Sequence, residues 1–256
     1  MKETRTIMSD TNFENIYDTT GVTQYESGTP STGTNFDVRV YPIEDPQGRT
    51  QAFAKVAVDG IAVICGIRIV EGDEGIFVAM PQSQGGDGRF HDTAFLVEPG
   101  LYEQMRDMIL HEYHSPTPRE AVDKSFTADM RNPADIALDA SVFPNRNPRS
   151  STKAFASVML DDKIVIRGIT IDADSKGRLA VNMPFTIDGN GTPRDVAYPI
   201  LPGLRREISK AVLVAHKEIV KSRSLAENLR EGKDKAAQHV PAQRTPAMAR
   251  SAAAAL

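Results

Sequence analysis

A repeat governs this sequence. FDVRVYP (36–42) matches LDASVFP (138–144) at an offset of 102 residues, and AFAKVAVDGIAVICGIRI (52–69) matches AFASVMLDDKIVIRGITI (154–171) at the same offset. One residue enters the turn before GRLAVNMP, and from there the offset is 103: Met80-Pro81 answers Met183-Pro184, Asp92 answers Asp195, and Pro99-Gly100 answers Pro202-Gly203. A colinear match over about 80 residues marks a duplicated module, and two copies are too few and too long for a solenoid. The chain is therefore expected to fold as one building block made twice, each copy burying its own apolar face.

Within a copy the pattern is short strands and then a helix. Val, Ile, Phe and Ala dominate runs of six to nine residues that end at Asp-Gly, Asp-Asp or Pro. VAVDGIAV and VMLDDKIV read as hairpins, with Asp-Gly suited to a type I′ turn and Asp-Asp a poorer version of it. In the second hairpin strand Ile164 and Ile166 share one face while Ile169 and Ile171 fall on the other. A bulge at Gly168, and at its counterpart Gly66, returns all four to one side. Proline after Met80 and Met183 cannot donate to a ladder, so those strands end or lie at an edge. Leu101, Met105, Ile109 and Tyr113 then recur at helical spacing, as do Leu204, Ile208, Val212, Ala215 and Ile219, with Pro99-Gly100 and Pro202-Gly203 marking the helix starts. The fold class is α+β: two tandem copies of a small antiparallel sheet with one C-terminal helix.

Flanking stretches divide the chain into a disordered extension (1–36), a first domain (37–114), a linker (115–138), a second domain (139–221) and a helical, then disordered, basic tail (222–256). REAVDKSF in the linker can form a short turn of helix. A tether of this length has an end-to-end distance of about 25 Å, enough to let the modules pack side by side. The lone Cys65 reads as a buried thiol in a reducing compartment. The start of the chain has no apolar h-region and no run suits a membrane helix, which predicts a cytoplasmic protein without membrane contact.

Metal and catalytic motifs fall short. Asp188–Pro199 has proline where a calcium loop needs its central glycine and its bidentate glutamate, so it reads as a loop closed by an Asx-type hydrogen bond. His111 and His114 stand three apart rather than four and lack a third ligand. Gly85, Gly86 and Gly88 precede no helix with a following lysine and form no phosphate cradle. Asp92 and Asp195 have no partner acid and read as loop caps. The expectation is no enzyme, no cofactor, no metal and no small-molecule substrate.

Ile67-Arg68-Ile69-Val70, Gly72, the run Gly75–Pro81, and Asp87-Gly88, Phe90 and Asp92 together resemble the SpoVG family of septation and sporulation regulators. The first copy covers the whole family domain. The second is a more divergent version that keeps Gly168, Met183, Pro184, Arg194, Asp195, Ala197, Pro199 and Ile200. The resemblance implies a small α+β domain that dimerises through its sheet, acts without catalysis in bacterial cytoplasm on septation, sporulation and gene expression, and binds DNA or RNA. Two linked copies then imply an intrachain pseudo-dimer formed by sheet-mediated pairing.

The sequence departs from the family where Lys-Arg often follows Met-Pro, since QSQGG (82–86) and FTIDGNG (185–191) hold no basic residue. Charge instead rises along the chain: residues 1–37 carry a net −4, residues 38–120 a net −6, residues 121–204 balance, and residues 205–256 carry 11 basic against 5 acidic side chains. Phosphate neutralisation dominates affinity for nucleic acid, which moves the expected interface to the second helix and tail. Its candidates are Arg205, Arg206, Lys210, Lys217, Lys221 and Arg223, with Arg194 reaching a base or sugar edge. The alternative is a protein-interaction scaffold using the acidic first copy, whose helix carries Glu98, Glu103, Asp107 and Glu112. Phe53, Phe77, Phe90, Phe95, Phe155 and Tyr198 could stack on bases, but their strand positions place most of them in the core.

Overall fold

The computed structural model describes residues 33–115, 126–147, 149–188 and 190–238, with side chains as far as 226. The expected extension at 1–36 lies outside these residues except for its last four, and Phe36 already opens the first strand. Most of the predicted linker turn REAVDKSF also lies outside them, as does the chain after 238.

The first repeat forms β1 (Phe36–Pro42), β2 (Thr50–Val58), β3 (Ala62–Gly72), β4 (Gly75–Ala79), the short β5 (Gln82–Gln84), β6 (Phe90–Asp92) and β7 (Ala94–Leu96), and then α1 (Pro99–Tyr113). The second forms β8 (Leu138–Pro144), β9 (Thr152–Leu160), β10 (Ile164–Ala173), β11 (Leu179–Asn182), β12 (Phe185–Ile187), β13 (Pro193–Asp195) and β14 (Ala197–Pro199), and then α2 (Leu204–Gln238). Both hairpins turn as the sequence predicts. Asp59 and Gly60 have φ of 51° and 65°, Asp161 and Asp162 have φ of 53° and 55°, and the Ile61 and Lys163 N–H groups donate to the Val58 and Leu160 carbonyls, closing type I′ turns.

The bulges are also where the repeat places them. Ala54 pairs with Ile67 and Val56 with Ile64, so Cys65 and Gly66 together face Lys55; Arg167 and Gly168 intrude in the same way between Ile166 and Ile169. Gly66 and Gly168 take φ of 70° and 73°, the left-handed conformation that glycine adopts without penalty. Ile64, Ile67, Ile69, Ile164, Ile166, Ile169 and Ile171 are thereby all fully buried.

Each bulge marks a change of partner. Along β3, residues 68–72 pair with β4 of the same repeat, but residues 62–64 pair with β14 of the other; β10 likewise pairs with its own β11 and, at 164–166, with β7. The repeats thus exchange strands reciprocally across an approximate twofold relation, forming two five-stranded sheets. This corrects the expectation that each repeat buries its own apolar face. One continuous core holds Val56, Ile67 and Met105 from the first repeat together with Val158, Ile169 and Ile208 from the second. The exchange follows from the chain path, because β7 and β14 emerge beside the neighbouring repeat after short ribbons, β5–β6 and β12–β13, that stand off the sheets.

The helices close the core as their stripes predict. Leu101, Met105 and Ile109 of α1 and Leu204, Ile208 and Val212 of α2 are fully buried, with Tyr113, Ala215 and Ile219 packed at the margins. Pro99 opens α1, while α2 begins one residue after Gly203, whose φ of 86° turns the chain into it.

The linker is anchored on the first hairpin. The Asp129 N–H donates to the Gly60 carbonyl at 3.0 Å, Arg131 bridges Asp129 and Asp161, and Lys163 Nζ donates to Asp59 at 2.7 Å, tying the two turns together. Phe126 lies 3.9 Å beneath the Arg39 guanidinium on the outer face of β1.

Candidate functional site

The helix α2 is 35 residues long against 15 in α1, and from Val220 to Ala226 every residue is exposed, so this stretch leaves the body. At about 100° per residue, Arg206, Lys210, Lys217 and Lys221 fall within an arc of about 60° and span about 22 Å of axis. All four are exposed. Among the described residues, the acidic side chain that pairs with this stripe is Glu207, 3.5 Å from Arg206 and 3.9 Å from Lys210, and exposed pairs of that kind contribute less than about 1 kcal/mol. The equivalents of Arg206 and Lys210 in α1 are Glu103 and Asp107, which reverses the sign of the same surface on the other repeat.

The remaining candidates separate from this stripe. Arg205 and Arg223 share a line about 100° round the helix from Arg206, and Arg205 is held by Asp195 at 3.0 Å. Arg194 lies on β13 with its Nε donating to Asp188 at 3.0 Å. The Asp188 side chain also accepts from the Asn190 and Thr192 N–H groups at 3.0 and 2.8 Å, the Asx-type closure expected of this loop. The Thr192 amide and then the Arg194 guanidinium hold its carboxyl below the usual range. Asp92 accepts from Gln82 at 2.9 Å across β5–β6.

Cys65 is buried under Tyr198 on the outer side of β3. Burial pushes its thiol from an ordinary 9.0 to about 11, so this group stabilises the fold below pH 9.0 and ceases to do so as pH rises towards 11. Thiolate is the reacting species. Disulfide-reagent labelling at pH 8 is therefore expected to run roughly a hundred times slower in the native chain than in urea, and equal rates would contradict a buried thiol.

The aromatic residues depart from expectation. Phe53, Phe77, Phe90 and Phe155 are 44%, 49%, 66% and 47% exposed, and Phe95 and Tyr198 are only partly buried. Strand alternation explains it: Ala52, Ala54, Val56 and Val58 take the core side of β2, which turns Phe53 and Lys55 outward together. The shared phase of Phe53 with Lys55 was the available sequence signal. Tyr41, Phe53 and Arg68 stand side by side across β1, β2 and β3, and Arg39 pairs with Lys55 in the adjoining row.

Among the described residues, no helix is long and apolar enough to cross a membrane, and no three His, Cys, Asp or Glu side chains group as metal ligands. Comparison with known proteins gives a consistent result. The SpoVG family profile matches twice, over residues 34–115 and 137–218. The proteins named "Putative septation protein SpoVG" from Bacillus cereus (strain AH187), Bacillus anthracis (strain A0248) and Bacillus thuringiensis subsp. konkukian (strain 97-27) are each 37% identical over 78 residues, covering 30% of this chain and 79% of theirs. With both repeats matched and their strands interleaved as one body, the chain belongs to the SpoVG family and carries two copies of its domain.

Proposed function

We propose that the protein is a non-enzymatic, cytoplasmic regulator of the SpoVG type that binds DNA or RNA through α2. The observation that carries this reading is the alignment of Arg206, Lys210, Lys217 and Lys221 on one exposed helix face. Four cations along about 22 Å match a polyanion whose duplex form carries one charge per about 1.7 Å, and binding them releases condensed counterions. Arg205 and Arg223 add charge on a neighbouring line, and Arg194 stands near the N-terminal end of the helix through the Asp195–Arg205 contact. The acidic α1 surface repels phosphate and orients the complex towards the second repeat.

The test is binding of short DNA and RNA duplexes against salt. Log K is expected to fall with log salt at a slope of about −3 to −4 on duplex DNA, and Lys210→Glu, Lys217→Glu and Lys221→Glu together abolish binding. Negligible binding by the unaltered chain at low salt would reject the reading. The scaffold alternative is favoured by Phe143 and Phe155, 61% and 47% exposed and side by side on the outer face of β8 and β9. Under it, Phe143→Ser removes a protein partner while leaving nucleic-acid binding unchanged.

A further inference from the structure

We propose that the outer face of the first repeat's sheet holds a nucleotide, its base stacked on Tyr41 and Phe53 and its phosphate met by Lys55 and Arg68. This rests on the nucleic-acid reading and assigns to the protein an unpaired stretch of strand beside the duplex or backbone contacts of α2. A cleft of about 1230 Å³ opens here, floored by β1, β2 and β3 and walled by Phe90 from one ribbon and by Arg194 and Val196 from the other repeat. Base-sized ligands favour such concave, largely apolar sites with a few convergent polar groups.

The register supplies the geometry. Tyr41 faces Phe53 across β1 and β2, and Phe53 faces Arg68 across β2 and β3, so the two rings and the guanidinium form a row with neighbouring Cβ atoms about 5 Å apart. Lys55 projects from the same face two residues along β2, where the bulge opens the sheet opposite it, and its Nζ stands 5.4 Å from the Tyr41 ring centroid. A planar ring resting on Phe53 therefore has a cation both at the end of the row and beside it. Stacking on such rings is indifferent to base identity and contributes about 1–3 kcal/mol per base.

Charge in the cleft favours an anion. Its two carboxylates, Asp188 and Asp195, are already engaged by Arg194 and Arg205. Lys55 and Arg68 form no ion pair among the described residues, and the Tyr41 ring face that attracts Lys55 leaves its charge uncompensated, so a phosphate can meet both cations. The second repeat is the internal control. It keeps the rings as Phe143 and Phe155 but has Ser141, Ser157 and Thr170 where the first has Arg39, Lys55 and Arg68. The fold therefore does not need cations at these three positions; the second repeat's outer-face Arg167 instead lies over Phe95 at 4.7 Å, and the Phe143–Phe155 row lacks the Lys and Arg that flank Tyr41 and Phe53.

The experiment uses the full chain with three probes: a dT12 oligonucleotide carrying 5-bromodeoxyuridine, a 20-base-pair duplex and free UMP. Irradiation is expected to cross-link dT12 to the peptides containing Tyr41 and Phe53. Lys55→Ser with Arg68→Thr installs the side chains that the second repeat already accommodates, and circular dichroism checks the fold. This double variant, and separately Phe53→Leu, is expected to weaken dT12 binding at least tenfold while duplex binding stays within twofold. Shifts of the Phe53 ring resonances by UMP without cross-linking of dT12 would retain the nucleotide and name its source as the free molecule. Equal dT12 affinity in all variants, or cross-links only on α2, would overturn the cleft and leave the α2 reading standing. No binding of any probe would overturn both.

Discussion

Gly60→Val is expected to lower the melting temperature by about 10 °C or more. Two costs combine at this position. The residue sits at φ 65°, where a side chain costs about 1–2 kcal/mol and a β-branched one more. A Cβ built there would also lie 2.5 Å from the Asp129 backbone nitrogen and 3.0 Å from the Thr127 carbonyl oxygen, so the linker must lift and give up its hydrogen bond to the Gly60 carbonyl. The sum is about 4 kcal/mol against a typical total of 5–15, and at this chain length each kcal/mol moves the midpoint by about 2–4 °C. Gly60→Asp separates the two causes. It copies the turn that Asp161-Asp162 forms in the second repeat, so a loss of about 2 kcal/mol would come from the linker contact, and an unchanged midpoint would show that the linker does not press on this turn. Thermal unfolding followed by far-ultraviolet circular dichroism reads all three chains.

Expression of residues 33–115 alone is expected to give a homodimer whose melting temperature rises with concentration. In the intact chain β14 covers the 62–64 edge of β3, and β7 covers β10. A single repeat leaves its β3 edge bare and its β7 without a strand to join, and β7 of a second molecule can answer both. Ala94 and Ala197 are fully buried at equivalent places, opposite Ile166 and Ile64, so the substitution fits. The tether supplies an effective concentration in the millimolar range, worth about 4 kcal/mol over free association at micromolar concentration. Light scattering is expected to report one copy of the full chain at 28.0 kDa and two copies of the fragment. A monomeric fragment with a concentration-independent melting temperature would contradict the shared core.

Much of this architecture is legible in the sequence. The glycines at 66 and 168 declared their bulges because the isoleucine phase could be reconciled in no simpler way, and Asp59-Gly60 declared its turn through the positive φ it tolerates. The strand exchange was not legible. β7 reads only Ala-Phe-Leu, and the repeats offer it two edges of nearly the same sequence; the choice depends on where the preceding ribbon delivers the chain. The outward aromatics were hidden by a bias towards reading Phe as core, although alternation with Ala52 and Ala54 placed Phe53 on the side of Lys55. At the candidate interface the charge gradient pointed to α2, but the seven arginines and lysines were undivided. Turning each through the helical angle sorts four into one stripe and leaves Arg205 and Arg223 on another line.

Interleaved strands on one polypeptide also change what selection can act upon. An assembly of identical subunits must display every substitution twice, so a helpful change on one side is accepted together with its duplicate on the other. Here the halves share one core yet are separately encoded, and position 55 holds Lys while its counterpart, position 157, holds Ser. The molecule thus has a front and a back, able to approach a target in one orientation where a symmetrical dimer would meet it in two.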